Sequence, residues 1–219
     1  MQRIKLFVIL LIVAICLSGC GERIRFKKEI TDRLQVRTPK IIGMKDRAVQ
    51  EKINILLYST AFELRDKNRS EVAKYSESYN YYVQSEVTRH NKLLLSARYM
   101  ECLVMPWYAH PLNSMQAVTV NLKDGSVYKL SDLFKPGSDY RAVLNKILDE
   151  KVQAYANKTG VKMLEKFRGI EKDQGFYLTR DSLAIYWQEA VYLPRYLGPL
   201  SIMVEYKRLS GILRDDLRF

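Results

Sequence analysis

Residues 79–88 constrain the fold most, because Tyr79, Tyr81, Val83, Ser85 and Val87 alternate there with Asn80, Tyr82, Gln84, Glu86 and Thr88. A period of two sends successive side chains to opposite faces of an extended strand, which a helix cannot do. His90-Asn91 can then turn the chain into the apolar run 93–105, so the segment reads as a hairpin. A second hairpin is expected where residues 117–122 and 126–130 flank Lys123-Asp124-Gly125, since Asp-Gly supplies the positive dihedrals of a tight turn. Residues 176–178 and 183–187 straddle Thr179-Arg180-Asp181-Ser182, and residues 200–206 add a further alternating strand.

Two segments change period. After a strand-like stretch at 34–42 and a break at Gly43, Asp46 can cap a helix whose apolar positions are Val49, Ile53, Leu56, Leu57 and, beyond them, Phe62. Past Pro136-Gly137, with Ser138 as the expected cap, Tyr140, Val143, Leu144, Ile147, Leu148, Val152 and Tyr155 recur at helical offsets. The chain therefore predicts an α+β fold: antiparallel sheets with two main helices packed on them. With 219 residues, 47% of them hydrophobic, there is ample material for a core.

The N-terminus speaks to location. Arg3 and Lys5 precede twelve apolar or small residues, Leu6 to Leu17, and Leu17-Ser18-Gly19-Cys20 follows. At about 1.5 Å per residue the run spans roughly 18 Å, short of a ~30 Å hydrocarbon core, so it reads as a cleaved signal with a lipoprotein box. Residues 1–19 are expected to be the signal peptide, and Cys20 the lipidated residue, carrying acyl chains such as palmitate. Each buried methylene contributes about 0.8 kcal/mol, so two or more chains hold a protein stably to a membrane. Cleavage removes Arg3 and Lys5 and leaves +10 of the formal +12. Export makes nucleic acid an unsuitable partner for that charge and favours headgroups, wall polymers and envelope proteins.

Residues 20–33 are charged and read as the acylated cysteine with a tether. The remainder divides into an N-terminal α+β module, 34–110, and a C-terminal α+β module, 111–219, packed as one unit. Of the three cysteines, Cys16 leaves with the signal and Cys20 is acylated, so Cys102 has no intrachain partner and is expected to be a small buried hydrophobe.

A catalytic constellation is not evident. The sequence has no Gly-x-Ser-x-Gly elbow, Cys-x-x-Cys, His-Glu-x-x-His or glycine-rich phosphate loop, and only two histidines, His90 and His110. Asp149-Glu150 point to different sides of the second helix, unlike a glycosidase pair. No metal, cofactor or catalytic residue is expected.

Several strings carry a family likeness: Tyr108-Ala109-His110-Pro111, the run 120–134 (VNLKDGSVYKLSDLF), Gly175-Phe176-Tyr177-Leu178-Thr179, then Tyr192-Leu193-Pro194 and Gly198. In this order they resemble the bacterial extracytoplasmic domains of unknown function found in the lysozyme-sensing anti-sigma factor RsiV and in the N-terminal region of the peptidoglycan deacetylase PdaC. The helix opening at residues 45–54 looks like the companion module that precedes them. The likeness covers about residues 34–214 and departs at Tyr108, where members often carry Gly. It implies a binding or sensing fold, since the deacetylase chemistry belongs to a separate domain. The expected function is a non-enzymatic cell-envelope lipoprotein that binds a cell-wall glycan or an envelope protein. It would sit in the outer membrane of a diderm host, or on the outer face of the plasma membrane of a monoderm one. The alternative is a peptidoglycan-active envelope hydrolase using His110. Trp107, Tyr108, His110, Tyr192 and Tyr196 are the candidate ligand-binding residues, on two aromatic, proline-containing interruptions of the sheet pattern.

Overall fold

The computed structural model describes residues 22–74, 78–106 and 108–217. The expected signal peptide, Cys20 and Trp107 lie outside the described residues. Two sheets form, with strand orders β1-β2-β3-β4-β5 and β6-β7-β8. The first holds β1 (Arg23–Ile30), β2 (Leu34–Ile42), β3 (Asn80–His90), β4 (Leu94–Val104) and β5 (Leu112–Asn121); the second holds β6 (Phe176–Leu178), β7 (Ser182–Trp187) and β8 (Leu200–Glu205). The α+β class stands, with one amendment: β2 pairs with β3 in parallel, so the larger sheet is mixed. This parallel step is possible because α1 (Arg47–Thr60) and two short helices, α2 (Glu63–Lys67) and α3 (Arg69–Lys74), carry the chain back across the sheet between those strands.

Local chemistry explains the elements. Asp46 accepts from the N–H groups of Ala48 and Val49 and caps α1, whose Ile53 and Leu57 are buried against the sheet. The long helix α4 (Tyr140–Thr159) is capped by Asp139, not Ser138; Asp139 accepts from the N–H of Ala142, while the Ser138 hydroxyl donates to the Lys135 carbonyl. Leu144, Ile147, Leu148 and Val152 form its buried stripe, and Gly160, at φ +67°, ends it. At the first hairpin, Asn91 accepts from the N–H groups of Leu93 and Leu94.

The layers stack as helix, sheet, sheet, helix. One apolar core fills the space between the five-stranded sheet and α1, another lies between the three-stranded sheet and α4, and Met115, Tyr177, Ala184 and Tyr186 form the seam between the sheets. Two other expectations change. Arg23–Ile30 is a strand antiparallel to β2, not a tether: Ile24, Phe26 and Ile30 occupy alternate positions, and an edge strand tolerates the charges between them. The Asp124-Gly125 turn forms, with Gly125 at φ +67°, but its second arm is a single bridge, Val120 to Val127, before a 3₁₀ turn at Leu130–Leu133. β5 belongs to the first sheet, so that sheet runs past residue 110. Among the described residues no helix is long and apolar enough to cross a membrane.

Candidate functional site

The β4–β5 connection and the β7–β8 connection meet at one end of the two sheets. Register sets this up, because β5 begins beside the end of β4 with Cys102 opposite Asn113. Gln188, just after β7, then staples the other connection to β5: its Oε1 accepts from the Met115 N–H at 2.9 Å and the Ser114 hydroxyl at 3.2 Å, and its Nε2 donates to the Met115 carbonyl at 2.6 Å. Glu189 follows, with its side chain nearly buried, accepting from Asn113 Nδ2 at 3.2 Å and pairing with Arg195 Nη1 at 3.0 Å. A reversal at Ala190, in the left-handed region at φ +61°, returns the chain to the core.

There Tyr192 turns inward. It is 4% exposed, its ring meets Trp187 edge-on at 5.3 Å, and its hydroxyl accepts from the Arg168 N–H at 3.2 Å. This corrects the expectation that Tyr192 faces a ligand: its phenol is used in packing, since an aromatic ring between Trp187 and Phe167 buries more apolar surface than any outward pose. Pro194 then opens the 3₁₀ turn Arg195–Leu197, closed by Gly198 at φ +72°. The turn pushes Tyr196 outward to 82% exposure.

Between these loops lies a groove of about 630 Å³, lined by Met100, His110, Pro111, Asn113 and the 195–199 turn. The structure thus brings His110 and Tyr196 to one concavity, leaves Tyr108 exposed on the same loop as His110, and keeps Tyr192 away. His110 is exposed. Asn113, Glu189 and Arg195 escaped the sequence reading; only the Pro194 to Pro199 turn chemistry hinted at a rigid rim.

Chemically, the groove offers a stacking face, a cation partly offset by its own carboxylate, an imidazole and an amide. Cys102, half-buried on β4 opposite Asn113, has its thiol pushed up by burial and then by the Glu189 carboxylate, which makes it a poor nucleophile. Among the described residues no group of three His, Cys, Asp or Glu is placed to hold a metal ion.

Comparison with known proteins agrees with the likeness in the sequence. Residues 131–207 match the family model described as protein of unknown function (DUF3298). That span takes in α4, the three-stranded sheet and the 195–199 rim of the groove, but not the His110 loop. The fold is similar to that of a DUF3298 family member from Bacteroides fragilis NCTC 9343, with a TM-score of 0.65 at 16% identity, over 89% of this chain and 93% of that one. It is also similar to a DUF3298 family protein from Pseudomonas aeruginosa PAO1, with a TM-score of 0.63 at 14% identity, over 91% and 97% of the two chains. No curated protein matches.

Proposed function

We propose that this chain, whose residues 131–207 match the DUF3298 family model, is a lipid-anchored cell-envelope protein that binds a ligand and does not transform one. The ligand is a cell-wall glycan or a segment of an envelope protein, held in the groove between the His110 loop and the 195–199 turn. One observation carries the reading: residues 85 positions apart in the chain, His110 and Arg195, line a single groove with Tyr196 at its rim. A planar ring held outward on a short turn closed by Pro194 and Gly198 loses little conformational entropy on contact, which suits stacking on a sugar or a side chain. The lipoprotein box at Leu17-Ser18-Gly19-Cys20 supports the location.

The experiment is retention of the purified chain on isolated peptidoglycan fragments and, separately, on immobilised envelope proteins, with Tyr196→Ala and His110→Ala beside the parent. Loss of retention with an unchanged melting temperature is expected; full retention by both variants overturns the placement of the site. Location is tested in cells with a fatty-acid analogue, which labels the parent and leaves a Cys20→Ala variant unlabelled.

A further inference from the structure

The three-stranded sheet covers the larger sheet chiefly at β4 and β5, where the seam between the sheets lies. Towards β1 and the start of β3 that face is only partly covered by the described residues, with Phe26 and Tyr82 each 37% exposed and Gln84 and Glu86 exposed. Among the described residues β1 is also the edge of the sheet, pairing only with β2. Its eight residues carry Arg23, Arg25, Lys27 and Lys28, all exposed. Of the acids nearby, Glu22 pairs with His90 at 2.6 Å, and Glu29 pairs with Lys27 at 3.5 Å and accepts from the Tyr58 hydroxyl at 3.3 Å, which engages Lys27 on the α1 side. Arg37 of β2 lies flat over the Phe26 ring, 3.6 Å from its centroid, and Ile30 is 71% exposed at the end of the strand.

We infer that the exposed edge of β1, with Arg37 of β2, forms a membrane-contact surface, taking the headgroups of an anionic phospholipid bilayer on Arg25, Lys28 and Arg37 with Phe26 and Ile30 at the interface. The inference rests on the reading of Cys20 as acylated. Only Gly21 and Glu22 separate Cys20 from Arg23. Fully extended, that link reaches roughly 11 Å, comparable to the Debye length of about 8 Å at physiological salt. An anchor so short puts the start of β1 within the electrostatic reach of the lipid. Cations flanking an exposed aromatic and an exposed aliphatic side chain match what a headgroup layer accepts: charge at the phosphates and apolar bodies at the acyl boundary. The domain then lies on the bilayer by its strand edge and is not lifted away from it.

Every described element and all three apolar clusters lie within residues 22–217, so the mature chain from residue 20, made with Cys20→Ser to remove the lipid, contains all of them. It is mixed with vesicles of phosphatidylglycerol and phosphatidylethanolamine, or of phosphatidylcholine alone, and sedimented. Binding to the anionic vesicles only, released by high salt, is expected. Arg25→Glu/Lys28→Glu weakens it by about 25-fold or more, at roughly fivefold for each basic group near an anionic surface. Lys162→Glu/Lys166→Glu, an equal charge change on the segment packed against the α4 core, leaves it nearly unchanged. Equal loss in both double variants means that net charge alone acts and overturns the surface. So does absence of vesicle binding, which leaves the basic residues as guards of an edge strand. If Cys20 takes no fatty-acid label in cells while the unacylated chain still binds, the anchor reading fails and the β1 surface stands.

Discussion

Glu101, a carboxyl buried in the core between the five-stranded sheet and its helices, accepts the backbone N–H of Leu64 at 2.9 Å. That N–H is one of the free donors in the first turn of α2, so β4 caps a helix that has no side-chain cap of its own. The other carboxyl oxygen, Oε1, is buried with no hydrogen-bond partner among the described residues.

The consequence is a pH-dependent stability. Burial pushes the Glu101 carboxyl up to about 7, against the pull of the Leu64 N–H, with Glu63 adding to the rise. Between its unfolded value of 4.5 and about 7 the folded chain keeps a proton that the unfolded chain releases. Stability therefore falls as pH rises through that window and levels off above it, by an amount on the order of 3 kcal/mol. Urea unfolding at pH 5 and pH 8 is expected to show this fall in the parent. Glu101→Gln, which keeps an acceptor for Leu64, removes most of it and is the more stable protein at pH 8; equal slopes in the two proteins defeat the assignment.

Gly175, just before β6, lies against the ring of Tyr186 on the neighbouring strand β7, whose backbone N–H it accepts at 3.1 Å. A Cβ there would lie 2.5 Å from Tyr186 Cζ, and the ring is too closely packed to retreat freely. Gly175→Ala is expected to cost about 1–3 kcal/mol by overpacking, read from denaturant midpoints. The double variant with Tyr186→Leu should recover part of that loss, since it removes the atoms in collision.

Tyr192 and Tyr196, four residues apart, should respond oppositely. Truncating buried Tyr192 to Ala costs about 3–5 kcal/mol of stability, as for other large aromatic deletions in cores. Tyr196→Ala stays within about 0.5 kcal/mol of the parent and acts on ligand retention alone. Melting curves beside a binding titration separate them; a large melting shift in Tyr196→Ala contradicts its outward pose.

Gly198 closes the rim of the groove at φ +72°, ψ −164°, with nothing within 4 Å of an added Cβ. The cost of Gly198→Ala is therefore one of backbone strain, not of collision, and is expected at about 1–3 kcal/mol. Retention of the ligand should fall with it, because Tyr196 would lose its fixed pose; unchanged retention with full stability argues that the turn is free to move.

What the sequence determined by itself was local. Alternation at 79–88 specified β3 and its inward face, Asp46 specified where α1 begins, and Asp124-Gly125 and Asn91 specified turns, because each of these signals is read by hydrogen bonds within a few residues. The apolar stripe of α4 was equally legible, though its cap was displaced by one residue to Asp139, the side chain that reaches the Ala142 N–H. Only the tertiary structure decided the rest. Arg23–Ile30 is a strand because β2 offers it a ladder, which its charge pattern does not announce. β2 lies parallel to β3 because α1 to α3 return the chain to the same end of the sheet. Periodicity reports that a face is apolar and is silent about which partner covers it, so Tyr192 and Tyr196 look alike in sequence and part company only where Trp187 and Phe167 claim one of them. The groove has the same origin: His110 and Arg195 become neighbours through the Gln188 and Glu189 contacts to β5, long-range bonds that no local pattern encodes.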